Sequence, residues 1–171
     1  MENSFEFTEH EQTGQTAIEN SMPPEIPLRS QIDRLTRNHV INISREQDLS
    51  KVIYLNLFNN KLRKIEGIKA LVNLESLILA FNEIDMIEGL ECNPNIRKLD
   101  LGHNFIRKIE HLECLPNCTY LDLSHNWIED INQLMHVSQC CPNLKDLGLK
   151  CNSFSNKKTY RATVFTILPN L

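Results

Sequence analysis

Glycine is scarce in this chain, 5 among 171 residues, and aromatic side chains make up only 6% of it. No glycine-rich loop of the kind that cradles phosphates is present. No apolar run approaches the roughly 18 residues that a membrane-spanning helix needs. The opening MENSFEFTEHEQTG has neither a basic n-region nor an apolar h-region, so it does not read as a secretory leader. Excess charge is missing too, since 18 Lys and Arg stand against 22 Asp and Glu, a net of −4. Residues 1–30 hold six Glu and one Arg, a net of −5, which leaves +1 for residues 31–171. So neutral a remainder argues against a nucleic-acid surface driven by bulk positive charge and against a polybasic membrane patch.

Leucine and asparagine, in contrast, are abundant: 23 Leu and 19 Asn form about a quarter of the chain. Their order explains the excess. Aligned on asparagines, the sequence reads VIYLNLFNNKLRKI from Val52, LESLILAFNEIDMI from Leu74, IRKLDLGHNFIRKI from Ile96 and CTYLDLSHNWIEDI from Cys118, with a fifth copy, LKDLGLKCNSF, from Leu144. The marker residues Asn60, Asn82, Asn104, Asn126 and Asn152 are spaced by 22, 22, 22 and 26. Counting back another 22 lands on Asn38, with Leu35, Val40 and Ile43 at matching apolar positions, which suggests a degenerate leading repeat.

Each unit follows LxxLxLxxNxIxxIxxL. The LxL part alternates with period two, as a half-buried strand does, and the next apolar residues recur every third position, as in a 3-10 or short helical return leg. One such coil cannot bury its own apolar edge, but a stack of coils shares a continuous core. The marker asparagine sits where the chain leaves the strand, and an amide both donates and accepts, so stacked copies can pair buried turn groups as a ladder.

These units resemble the 22-residue subclass of leucine-rich repeat proteins over about residues 38–171. That subclass includes the leucine-rich regulatory subunit of protein phosphatase 1, the leucine-rich subunit of the spliceosomal U2 particle, and many axonemal and centrosomal proteins. The resemblance implies an α/β solenoid with a parallel concave sheet, a 3-10 or short-helical convex side, and a cap at each end. The closing Tyr160-Arg161-Ala-Thr-Val164-Phe-Thr-Ile167-Leu168-Pro169-Asn-Leu171 is similar to the family's C-terminal capping motif YRxxVxxxLPxL. That motif normally continues further, so an end at Leu171 suggests a truncated product, a short isoform or part of a longer protein. Upstream, Leu28, Ile32 and Leu35 fall at i, i+4 and i+7, which predicts a capping helix beginning after Pro27. The expected organisation is a disordered acidic tail over 1–27, a cap with a degenerate repeat over 28–48, and repeats with their C-terminal cap over 49–171. In the longer fourth unit, DINQLMHVSQC is expected to run as a helix with Ile131, Leu134 and either Met135 or Val137 facing inward.

The six cysteines suit a reducing compartment. Cys140 and Cys141, with His136 and Cys151 nearby, invite a zinc reading, but the spacing fits no standard knuckle. Packing accounts for them better: Cys92, Cys114 and Cys140 share an inter-repeat slot and are expected buried, as is Cys118, while Cys151 faces the concave side. No nucleophile with an oriented base can be read from the spacing, so neither enzyme, metal site nor cofactor is expected.

Strand residues beside the inward leucines point onto the concave face. They include Tyr54, Asn56, Phe58, Ile78, Asp100, Tyr120 and Asp122, and the positions flanking the ladder add Phe81, His103, Phe105, His125 and Trp127. Six of the eleven aromatic residues lie on this one surface. Exposed aromatic anchors carry most of the energy of protein interfaces, and these residues are the candidate protein-binding site. Two alternatives stand beside it: the aromatics pack across neighbouring coils, and the His103/His125 and Asp100/Asp122 lattice is a solvated polar patch, a metal site or a catalytic one. The Arg63-Lys64 and Arg107-Lys108 pairs are expected on the convex side. The resulting expectation is a non-enzymatic protein-binding scaffold, cytoskeletal, ciliary or centrosomal, or a phosphatase regulator. The alternative is a subunit of an RNA-processing particle that grips an RNA-binding protein domain. No direct nucleic-acid, membrane or small-molecule contact is expected, and the placement is cytoplasm, cilium or centrosome, with the nucleus open.

Overall fold

Five three-residue strands recur at the LxL positions of the repeat: β1 (Tyr54–Asn56), β2 (Ser76–Ile78), β3 (Lys98–Asp100), β4 (Tyr120–Asp122) and β5 (Asp146–Gly148). The computed structural model describes residues 31–169 and 171, which form one compact unit. The acidic segment 1–27 and Leu28 lie outside the described residues. All strands are parallel, in the order β1-β2-β3-β4-β5, and the register pairs each residue with its equivalent one repeat on, so that Leu55, Leu77, Leu99, Leu121 and Leu147 form one row. Parallel pairing follows from the repeat itself, because every strand leaves its coil in the same direction after a full circuit.

The core is a continuous column. Leu57, Leu79, Leu101, Leu123 and Leu149 enter it from the strand side, and Leu62, Ile84, Ile106 and Ile128 from the return legs. Full burial of each such side chain contributes about 1.5–3 kcal/mol, and no coil has enough of them to stand alone. In the first three return legs the period-three spacing produces turns instead of helices. Leu71 N–H donates to Ile68 O and Leu74 N–H to Leu71 O, and the same pair recurs at Asn93/Ile96 and Leu115/Cys118. Only the longer fourth coil has room for helix, a 3-10 turn (Ile131–Gln133) running into α2 (Leu134–Cys140), with Leu134 and Val137 buried and Met135 exposed.

The N-terminal cap differs from the sequence expectation. Residues 31–36 are not helical; the helix is α1 (Arg37–Ser44), which starts at Thr36, whose Oγ1 accepts from His39 N–H while Thr36 N–H donates back to His39 Nδ1. Asn38 is exposed on α1 and joins no ladder. The leading coil is instead set by Ile32, whose N–H donates to Asn60 Oδ1, the bond that Leu62, Ile84, Ile106 and Ile128 make in later coils. The apolar spacing of Ile32 and Leu35 fits a helix and a coil equally well, and the open ladder end at Asn60 decides for the coil. At the other end Phe154 is fully buried, and α3 (Tyr160–Ile167) lays Tyr160, Val164 and Ile167 against the core before Leu168.

The cysteine expectation is corrected as well. Cys92 is exposed, and Cys114 and Cys140 are half-buried; Cys118 and Cys141 are the buried pair. The inward slot is one residue later than the sequence suggested, occupied by Leu71, Asn93, Leu115, Cys141 and Leu168.

Candidate protein-interaction surface

The asparagine at each strand exit positions the surface next to it. Asn104 Nδ2 donates to Leu101 O of its own coil and Leu79 O of the preceding one, both at 3.0 Å, while its Oδ1 accepts from Ile84 N–H. Asn82, Asn126 and Asn152 repeat this three-way link, and Asn60 makes two of its three bonds, with Leu57 O and Ile32 N–H. To bring that amide inward, the residue before it turns left-handed: Asn59 (φ 54°), Phe81 (59°), His103 (55°), His125 (54°) and Cys151 (58°). Such a conformation costs roughly 1–2 kcal/mol for a non-glycine residue. It is held because Phe81 N–H donates to Gly102 O, His103 N–H to Ser124 O and His125 N–H to Lys150 O. The consequence is that each of these side chains is thrown outward in the same direction.

A stack results. Phe81 and His103 lie face to face with centroids 3.9 Å apart, His103 and His125 follow at 3.8 Å, and Phe58 tilts against Phe81 at 5.1 Å. Beside it, Phe105 and Trp127 are 5.0 Å apart, and the Arg107 guanidinium lies 4.9 Å from the Trp127 ring. Phe58, Phe81, Phe105 and Trp127 are each 41–49% exposed. They therefore pack across neighbouring coils and present a face to solvent at once. The Arg107 contact is a residue that sequence reasoning missed, having placed it on the convex side; the repeat pattern alone does not tell how far a long side chain reaches.

On the strands, Tyr54 is exposed, Ile78 and Tyr120 are half-buried, and Lys98 Nζ stands 4.8 Å from the Tyr120 ring. Asn56, Asp100 and Asp122 turn their side chains back on the chain, each Oδ1 accepting the N–H two residues on, from Phe58, Gly102 and Ser124. These three thus have a local role in ending the strand. Burial raises the Asp100 carboxyl above the ordinary range, the Gly102 N–H pulls it down, and neighbouring Asp122 adds to the rise. His103 is held below the usual imidazole value by burial and by His125, and burial together with Asp122 and Asp100 raises the Tyr120 phenol.

A second asparagine column also escaped notice. Asn73, Asn95, Asn117 and Asn143, spaced like the first, donate to Ser50 O, Val72 O, Pro94 O and Pro116 O across coils at 2.8–3.1 Å, from exposed positions. Asn93 stands fully buried in a leucine slot, donating to Ile68 O and Leu71 O, with its Oδ1 unpaired. Among the described residues no cluster of three or more His, Cys, Asp or Glu is arranged to hold a metal, and no helix is long and apolar enough to cross a membrane.

Residues 50–92 and 72–114 match the family model described as Leucine Rich repeats (2 copies), and residues 116–131 match Leucine Rich repeat. Among solved structures, a chain of the Drosophila melanogaster SNF/U2A' complex superposes with a TM-score of 0.67 at 25% identity, covering 81% of this chain and 82% of that one. An internalin of Listeria monocytogenes gives 0.57 at 22% identity, over 73% of this chain and 45% of its own. A leucine-rich repeat protein of Leptospira interrogans gives 0.59 at 21%, over 71% and 31%. These last two share the fold alone. No curated protein sequence matches the chain.

Proposed function

We propose that this leucine-rich repeat solenoid is a non-enzymatic interaction module that holds a protein partner on its concave side. The observation that carries the proposal is the row of half-exposed rings, Phe58, Phe81, Phe105 and Trp127, gathered on one face of a solenoid whose other large apolar residues are mostly buried. Rigid aromatic surface lends binding energy at little ordering cost, and here backbone conformation and stacking have already fixed the rings. The family expectation of a cytoskeletal, ciliary or centrosomal scaffold, or of a phosphatase regulator, rests on resemblance. The likeness to a chain of the SNF/U2A' complex, which extends over most of that chain, favours a second reading. In it this chain is likewise one member of a complex, the RNA-processing assembly that the family resemblance also suggests.

A photo-crosslinking amino acid tests the surface. Placed at Lys98 on the concave side, it should give a discrete adduct in cell extract, lost when Trp127 and Phe105 are both alanine. Placed at Met86 or Met135, exposed return-leg positions, it should give none. Adducts only from the return legs would reject the concave site.

A further inference from the structure

At the centre of the sheet's outward face two carboxylates stand side by side, neither of them in an ion pair among the described residues. Asp100 and Asp122 are in register on β3 and β4, which places them about 4.8 Å apart along the sheet. Each uses Oδ1 for one backbone N–H, from Gly102 and Ser124, and leaves Oδ2 without a hydrogen bond among the described residues. The ion pairs Arg34–Glu66, Arg63–Glu83, Lys64–Glu88 and Arg97–Glu75 all lie elsewhere. Lys98 stands over the Tyr120 ring and, with His103, eases the Asp100 charge from a distance without forming an ion pair to it.

The scarce glycines add a second, independent observation. A Cβ at Gly148 would collide with the Asp122 carboxylate, and one at Gly102 would crowd Asp100 Oδ1 and Ser124 Oγ at 3.3 Å. The carboxylates thus lie flat on the sheet, with the His103/His125 stack along one side and Tyr120 along the other. Two half-buried like charges this close repel, and the arrangement is relieved by one cation that reaches both. A planar guanidinium suits it best, because it can bond two carboxylates at once while its faces rest on aromatic rings.

We propose that the partner segment docked on this face is anchored by an arginine seated between Asp100 and Asp122, with an adjoining apolar side chain on Phe105 and Trp127. This rests on the concave-face reading above and specifies its chemistry. Charge complementarity fixes the occupant as a basic segment of a protein; an acidic segment would meet two like charges.

The test is a random peptide display library panned on the purified chain. The expected result is enrichment of peptides with Arg beside an aromatic or aliphatic residue. Their affinity should fall about tenfold or more in the variant carrying Asp100→Asn and Asp122→Asn. Asparagine keeps the Oδ1 acceptor for Gly102 and Ser124 N–H and removes the repulsion, so this variant should be at least as stable as the parent. Enriched peptides that need Trp127 but carry no basic bias, or that bind the Asn variant equally, would overturn the arginine anchor and leave the concave site standing. Peptides indifferent to Trp127→Ala and to the Asn variant alike, or acidic peptides, would also overturn the anchor, and indifference to Trp127→Ala would overturn the concave site with it.

Discussion

Phe81 and Asn82 are neighbours in the chain, yet one is 45% exposed and the other 5%. The same contrast holds down the stack: His103 beside Asn104, His125 beside Asn126. The asparagine column satisfies buried backbone groups of two coils at once, and the column beside it is the outward consequence of the left-handed turn that makes this possible. One backbone device therefore separates the residues that hold the solenoid from those it offers to a partner. Substitution should separate them too.

The largest effect is expected at Asn104→Ala. It leaves Ile84 N–H unpaired in the interior, worth about 1–3 kcal/mol, and takes one of two amide donors each from Leu79 O and Leu101 O, which keep Asn82 and Asn126 Nδ2. Urea unfolding should show a loss of at least ~2 kcal/mol, and a loss near zero would mean that the ladder is not what joins the coils. Next comes Gly148→Ala, where the new Cβ meets the Asp122 carboxylate; an overpacking cost of about 1–3 kcal/mol should be largely recovered by adding Asp122→Ser. The outer asparagine column sharpens the contrast, since Asn117→Ala removes a single solvent-exposed bond to Pro94 O and should cost no more than about 1 kcal/mol.

His103 gives a pH-dependent version of the comparison. Its folded pKa lies below the ordinary imidazole value of about 6.5, so the unfolded chain binds the proton first as pH falls. Its contribution to stability is fully present above about pH 6.5 and is lost as pH drops through the lower folded value. Denaturation midpoints should therefore decline on that side of pH 6.5, and His103→Phe, the residue type that fills this slot at Phe81, should flatten this component. An unchanged slope would show that the stacked imidazole does not feel its neighbours.

Much of this was legible in the sequence. The 22-residue period located all five strands, because a strand that repeats its LxL in every coil can only pair in parallel with its equivalents. Inner ladder positions followed from the same period. The N-terminal cap was not legible: Ile32 and Leu35 have a spacing that suits a helix, and only the bond from Ile32 N–H to the Asn60 amide oxygen shows why the chain runs there as a coil. The cysteine slot slipped by one residue because Asn93 occupies the buried position that leucine and Cys141 take elsewhere, which disguised the row. Within the candidate surface, period two predicted which residues face outward but not that Asn56, Asp100 and Asp122 would spend an oxygen on their own backbone. Nor could it show that Arg107 reaches Trp127. Side-chain reach and backbone turns are set by the assembled stack, not by the pattern.

The most direct test compares fold and capture in one sample. In the variant with Phe105→Ala and Trp127→Ala, thermal unfolding and the crosslink from position 98 are measured together. The prediction is a cooperative unfolding transition with a loss of no more than about 3 kcal/mol, since only about half of each ring is buried, together with loss of the adduct. A variant that unfolds, or one that keeps its stability and its adduct, would contradict the assignment of this face to partner binding.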